Sequence, residues 1–211
     1  MIDIEEIQEF AEAHSGGKRD DEQFRTWTAV WIAVLAVLLA VSSLGGDNVA
    51  EEAMHNNIRS SDTFAWYQAK NIRQTQYELA AADLELSLLG QADALTPAQR
   101  EAIEAQLAGF RATIERYDSE PDPDDPQNPL KGEGKRELLA QALNYQSQRD
   151  HAFAQDPNFD YAHALYQIAI VLASIAIVAT SRGLLYLSIG LGVAATILTV
   201  NGFLLLVPLP L

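Results

Sequence analysis

The sequence has no cysteine. That absence excludes structural disulfides, cysteine-ligated zinc and thiol catalysis. It is also poor in base: 14 Lys and Arg stand against 29 Asp and Glu, for a formal net charge of −15. Nucleic-acid binding needs basic side chains to neutralise phosphates, so nucleic acid is not an expected partner. Adsorption to anionic lipid is disfavoured for the same reason. Catalytic signatures are missing too. There is no Gly-x-Ser-x-Gly, no phosphate-cradling glycine loop and no His-Glu-x-x-His, and His14, His55, His151 and His163 form no motif.

Three long stretches lack charge: residues 27–44, 164–181 and 183–211. A helix rises about 1.5 Å per residue and the hydrocarbon core is roughly 30 Å thick, so each stretch is long enough to span a bilayer. The near-neutral mean hydropathy hides this split between apolar segments and a polar remainder. A cleaved signal peptide is disfavoured, because 26 hydrophilic residues precede the first stretch and the apolar run is too long. The expected fold class is therefore an all-α membrane protein with three transmembrane helices, one N-terminal and two in a C-terminal hairpin, plus an extramembrane helical hairpin or bundle. The expected segments are 1–26, spans at 27–46, 164–181 and 184–207, and an acidic helical domain at 47–163.

Basic residues near span ends set orientation. Lys18, Arg19 and Arg25 precede the first span, with only Arg59 soon after it. Arg182 lies in the link between the second and third spans, and Arg149 is the nearest base before the second. This distribution places the N-terminus and Arg182 in the cytoplasm and residues 47–163 on the far side, periplasmic or extracellular. Gly183 is expected to take the left-handed conformation that ends the second span. The third is expected to stop near Val207, ahead of Pro208 and Pro210. Trp27, Trp31, Tyr161, Tyr166 and Tyr186 lie near span ends, where aromatic rings favour the interface.

Residues 47–89 lack proline and glycine, so the first span is expected to continue as one long helix. Ile58, Ala65, Ile72, Leu79 and Leu86 recur every seven residues, an apolar seam suited to a neighbouring helix. Gly90 to Leu95 breaks the helix. Thr96, Pro97 and Gln99 then form a restart signal with a capping box. Ile103, Leu107, Phe110, Ile114 and Tyr117 follow as an amphipathic stripe. Residues 119–134 carry four prolines and read as a mobile loop. A further helix is expected over 136–154 with Leu139, Leu143, Gln146 and Phe153 on one face. Asp156 and Pro157 are expected to start the helix that becomes the second span.

The segment Trp66-Tyr67-Gln68-Ala69-Lys70-Asn71-Ile72-Arg73, followed by Tyr77-Glu78, resembles a motif of bacterial membrane proteins in domain-of-unknown-function family 4337. The tail is similar too, at residues 166–176, Tyr186-Leu187 and Val200-Asn201-Gly202-Phe203. The resemblance covers most of the chain and departs at 119–134. It implies a three-span membrane protein and supplies no activity; the chain as a whole is read as a protein of the bacterial inner membrane.

Four groups of residues are candidate sites. Glu52-x-x-His55 follows the first span and Asp160-x-x-His163 precedes the second. A carboxylate and an imidazole three apart share a helix face, and facing pairs of this kind build di-metal sites in helical bundles. Glu52, His55, Asp160 and His163 are thus the candidate ligands of a divalent cation, against the plainer reading of solvated boundary residues. No other cofactor is expected. Asn201, Thr196 and Thr199 are polar positions inside the third span, suited to interhelical hydrogen bonds. Gly190, Gly192 and Ala194, with Ser188, offer small residues for close helix contact. Trp66, Tyr67 and Arg73 are suited either to a partner or to core packing.

The spans contain no Asp, Glu, Lys or Arg, the usual marks of an ion or proton pathway. The expected role is non-catalytic, not an enzyme: a homo-oligomeric scaffold in the lipid bilayer, or an accessory subunit of a larger membrane complex. The heptad seam and the small-residue face would be its contacts. The alternatives are a small oligomeric channel or cation-binding assembly with an acidic neck, and a metal-dependent membrane enzyme.

Overall fold

The computed structural model describes residues 4–91 and 94–209. Their regular structure is helical: α1 (Ile4–Gly90), α2 (Pro97–Asp118), α3 (Lys135–Ala179) and α4 (Arg182–Leu204). There are no strands among the described residues. α1, α3 and α4 are each long and apolar enough to cross a membrane. The chain divides into two compact units. An apolar unit comprises Met1–Glu51 and His151–Leu211, and an acidic unit comprises Glu52–Asp150.

In the apolar unit, α1, α3 and α4 pack around Leu35, Ala162, Tyr166, Ala169 and Ala195, all fully buried. Small residues permit this closeness. The buried face of α4 is Ser188, Gly192, Ala195, Thr199 and Gly202. A Cβ at Gly192 would come within 2.7 Å of Leu35 Cδ2 and 2.8 Å of Trp31 Cζ2. Phe159 of α3 fills the space left by two other glycines: a Cβ on Gly45 or Gly202 would fall 2.6 Å or 2.8 Å from its ring. The Phe159 and Phe203 rings meet edge to face at 5.0 Å.

Three local expectations are corrected here. Asp156 and Pro157 do not begin a helix; α3 runs through with Pro157 inside it. Proline removes an N–H from the helical ladder. The next residue, Asn158, turns its side-chain amide back on the helix and donates to the carbonyls of Ala154 (3.4 Å) and Gln155 (3.2 Å). The left-handed residue of the α3–α4 turn is Thr180 (φ 48°), not Gly183, which already lies within α4. The Ser181 N–H donates to Ala176 O at 3.1 Å, closing the helix end in a Schellman-type bond. α4 stops at Leu204, three residues before the expected Val207. Leu205 turns left-handed, and the Asn201 side chain both accepts from the Val207 N–H (3.0 Å) and donates to the Val207 carbonyl (2.7 Å). A side chain that captures the backbone in this way competes with helix continuation.

In the acidic unit, the second part of α1 packs with α2 and the first part of α3. Thr96 caps α2 in the expected capping box, its backbone N–H donating to Gln99 Oε1 at 2.9 Å. The stripe Ile103, Leu107, Phe110, Ile114 and Tyr117 turns inward, with Leu107 buried. Tyr77 of α1 meets Phe110 and Tyr117 at centroid distances of 5.4 Å and 5.9 Å. α3 presents a different face from the expected one. Leu138 and Ala142 are buried, while Leu139, Leu143 and Phe153 are exposed.

The loop at 119–134 is fastened at both ends, whereas its composition suggested mobility. Glu137, 7 % exposed at the start of α3, accepts from Ser119 Oγ (2.7 Å) and from the Glu120 N–H (3.1 Å). The Glu133 N–H donates to Glu120 O at 2.9 Å. Gly132 sits at φ 104° and Gly134 lies so close to the Glu120 backbone that neither accepts a Cβ. Burial alone would raise the Glu137 pKa. The hydrogen bonds from Ser119, Glu120 and its own N–H, with the nearby Arg136, outweigh burial and lower it.

Candidate functional site

α1 packs in the acidic unit through its less apolar side. Ala53, Asn56, Ser60, Gln74 and Ala81 are buried. Ser60 Oγ donates to the Ala142 carbonyl at 3.1 Å, and Gln74 Nε2 to the Ile114 carbonyl at 3.4 Å. The apolar seam faces outward. Ile58, Ile72, Leu79 and Leu86 are 47 %, 59 %, 67 % and 67 % exposed, and Ala65 is exposed with them. A helix ordinarily turns its apolar stripe to the core. Here small and polar residues make the internal contact, and a column of large apolar side chains remains open along the helix.

The polar residues of the apolar unit form a different kind of site. Tyr166 is fully buried, rather than at an interface as its position near a span end suggested. Its hydroxyl donates to Thr196 Oγ1 at 3.1 Å, and the Thr196 hydroxyl donates to the Gly192 carbonyl at 2.8 Å. Thr199 Oγ1 lies 3.0 Å from the Ala195 carbonyl, 3.2 Å from Ser42 Oγ and 3.4 Å from Tyr166 Oη. The Trp31 indole donates to Ser188 Oγ (3.1 Å), which donates to the Ala169 carbonyl (2.7 Å). Asn201 Nδ2 donates to Asn158 Oδ1 at 2.6 Å. These bonds tie α4 to α1 and α3 without any charged group. Thr196, Thr199 and Asn201 were legible as interhelical hydrogen bonders; their partners Ser42, Asn158 and Tyr166 were not. Asn158 was obscured by reading its neighbours as a helix start.

The small-residue positions of α4 separate. Gly192 is occupied by Trp31 and Leu35 of the same chain, whereas no atom of a neighbouring element lies within 4 Å of a Cβ built on Gly190. Ala194 is half-buried. Gly190 and Ala194, four apart, share one face, while Gly192 lies with Ser188 on another, so Gly190, Gly192 and Ala194 do not form one surface. The buried column runs at alternating spacings of four and three instead.

Of the candidate metal ligands, Glu52 and His55 are exposed in the acidic unit, and Asp160 is exposed and His163 half-buried in the apolar unit. Among the described residues, no group of three or more His, Asp or Glu side chains is placed to hold a metal ion. His163 Nε2 is buried without a hydrogen-bond partner. One turn away from Asp160, Asp156 has its pKa raised, first by burial and then by the Asp160 charge.

Trp66 is 68 % exposed, so it does not serve as a core residue. It borders a cavity of about 340 Å³ with Lys70, Arg73 and Glu133, and one of about 610 Å³ against the proline-rich loop. Lys70 Nζ pairs with Glu120 at 3.2 Å and lies 5.8 Å from the Tyr117 ring centroid.

No curated protein and no solved structure matches the chain. A domain of unknown function, DUF4337, matches residues 24–205. That match takes in the apolar segments of α1, α3 and α4 and the whole acidic unit, and the chain belongs to this family.

Proposed function

We propose that this chain is a multi-pass protein of the bacterial inner membrane that acts as a non-catalytic, homo-oligomeric helical scaffold. Its N-terminus is cytoplasmic and its acidic unit is periplasmic or extracellular. The observation that carries this reading is the exposed seam from Ile58 to Leu86. Apolar side chains at seven-residue spacing are the pattern by which helices associate, and burying them against a partner helix removes them from water. The acidic unit has a thin core of its own, since most of its buried apolar residues are alanines. Domains with small cores commonly gain stability by association.

The uncharged network among Ser42, Tyr166, Thr196 and Thr199 supports a cohesive role for the spans. Hydroxyls bonded between helices hold a bundle together, whereas ion and proton pathways are usually marked by ionisable side chains. Membership of a larger membrane complex, as an accessory subunit, is the second reading. The exposed Trp66 beside Lys70 and Arg73 favours it, as a surface for a different partner.

The deciding experiment is the mass of the complex extracted in mild detergent, with identification of co-purifying chains. The scaffold reading expects a small integral multiple of the 23.1 kDa chain and no stoichiometric partner. A different chain in fixed proportion establishes the subunit reading, and a monomer contradicts both.

A further inference from the structure

Resting on the scaffold reading, we infer that the seam is covered by a second copy of the same helix, parallel and in register, and that the like-charged rim of this pair makes it tighten as salt is added. The direction follows from the chain. The candidate span of α1 lies N-terminal to the seam on one continuous helix. Two copies inserted in the same sense in one bilayer therefore carry their seams in the same direction and at the same height. Parallel pairing then places Ile58 against Ile58, Ile72 against Ile72 and Leu86 against Leu86.

With these residues at the first position of a heptad, the fourth position holds Ser61, Gln68, Thr75, Ala82 and Leu89, all exposed. Ser61, Thr75 and Ala82 are small enough there for two helices to approach closely, and Gln68 and Thr75 bonding across the pair penalise a shifted register. Four heptad positions, each occupied five times between residues 57 and 90, give twenty residues per copy. That reaches the roughly 20–30 residues a side of a specific interface.

The rim positions flanking the seam contain Glu78, Glu85, Asp62 and Asp83 and no base of α1; the bases that reach the rim from α3, Lys135 and Arg149, bond Asn71 (2.9 Å) and Asn57 (3.2 Å). Arg111 neutralises Glu85 at 2.6 Å within the chain. In the parallel register Glu78 of one copy faces Asp83 of the other, twice over. No base stands three or four residues from either along α1. Like charges across a helix pair oppose association, and salt screens them: the Debye length falls from about 30 Å at 0.01 M to about 10 Å at 0.1 M. Most coiled-coil rims of opposite charge respond to salt in the reverse direction.

The absence of cysteine makes the test direct. Ile58→Cys, Ile72→Cys and Leu86→Cys are introduced singly and oxidised in native membranes, with Gln106→Cys on the exposed face of α2 as control. A disulfide needs Cα atoms within about 7 Å. The expected result is a covalent dimer from all three seam variants and none from the control. Cross-linking only at Ile72 means crossed or antiparallel helices and overturns the parallel register, while leaving self-association through the seam intact. No cross-link from a complex whose mass exceeds one chain removes the seam as its contact. No cross-link together with a monomeric mass refutes the scaffold reading itself. The salt dependence is read from the same Ile72→Cys yield at 0.01 M and 0.3 M salt. A several-fold rise that disappears in the Glu78→Gln, Asp83→Asn background is expected; a fall with salt overturns the charged rim.

Discussion

Glu137 shows how one side chain organises a segment of unfavourable composition. Its carboxylate gathers a hydroxyl and two backbone N–H groups and closes the sixteen-residue loop at 119–134. Glu137→Gln places an amide N–H where an acceptor is needed. Leaving buried groups unpaired costs about 1–3 kcal/mol. The expected outcome is faster hydrogen exchange at the Glu120 and Glu133 amides, measured at neutral pH. The pH dependence has a defined sign. A carboxyl whose folded pKa is lowered stabilises the fold above its unfolded value, near 4.5, and loses that contribution as pH falls through the folded value. Acidification below pH 4.5 is therefore expected to loosen the wild-type loop and to change the Glu137→Gln loop little. Tyr166 makes a contrasting case inside the apolar unit. Tyr166→Phe keeps the ring and removes the bond to Thr196, and interhelical bonds in membranes average about 0.6 kcal/mol. A small fall in thermal midpoint is expected, whereas Gly192→Leu, which would drive a side chain into Trp31 and Leu35, is expected to abolish packing of the unit.

At the scale of elements, α3 is the instructive case. It passes through Pro157, and the next residue, Asn158, bonds the carbonyls of Ala154 and Gln155 and accepts from Asn201 of α4. Asn158→Ala is expected to cost about 0.5–1.5 kcal/mol by removing the bond to Asn201. Pro157→Ala restores the missing N–H and is expected to raise the thermal midpoint; a fall would contradict this account of the proline. Neither the continuous helix nor the Asn158–Asn201 bond is visible in sequence, since Asp-Pro is a common helix start and nothing local announces a partner on α4. The three apolar stretches, the continuity of α1 and the capping box at Thr96 were legible because length, absence of breakers and a local motif decide them. The faces of α1 and α3 were legible only in part. Apolar periodicity locates Ile58 to Leu86 and Leu139 to Leu143 without saying whether they pack within the chain, and the structure buries neighbouring positions instead, among them Ser60 and Ala81 on α1 and Leu138 and Ala142 on α3. The small residues of α4 fall on two faces: Ser188 and Gly192 share the buried one, while Gly190 and Ala194 share another, so the four do not form one contact surface. The candidate metal ligands rested on two carboxylate–imidazole spacings, and spacing along one helix carries no information about a second.

At the scale of the whole molecule, the chain places its polar cohesion and its apolar surface in unexpected places. The apolar unit is held by uncharged hydrogen bonds among Ser42, Tyr166, Thr196, Thr199, Asn158 and Asn201, while the acidic unit exposes a helical column of isoleucine and leucine. A charge of −15 discourages indiscriminate association, in keeping with the proposal of a matched helix as the partner. The central claim is that this column is a self-association surface, and the mass of the detergent-solubilised complex tests it most directly when the column alone is altered. Ile72→Asp with Leu79→Asp leaves the buried face of α1 untouched, because both side chains point outward. The account predicts that the wild-type complex is a multiple of one chain and that the double variant, still helical by circular dichroism, runs as a monomer. A double variant that retains the wild-type mass contradicts it.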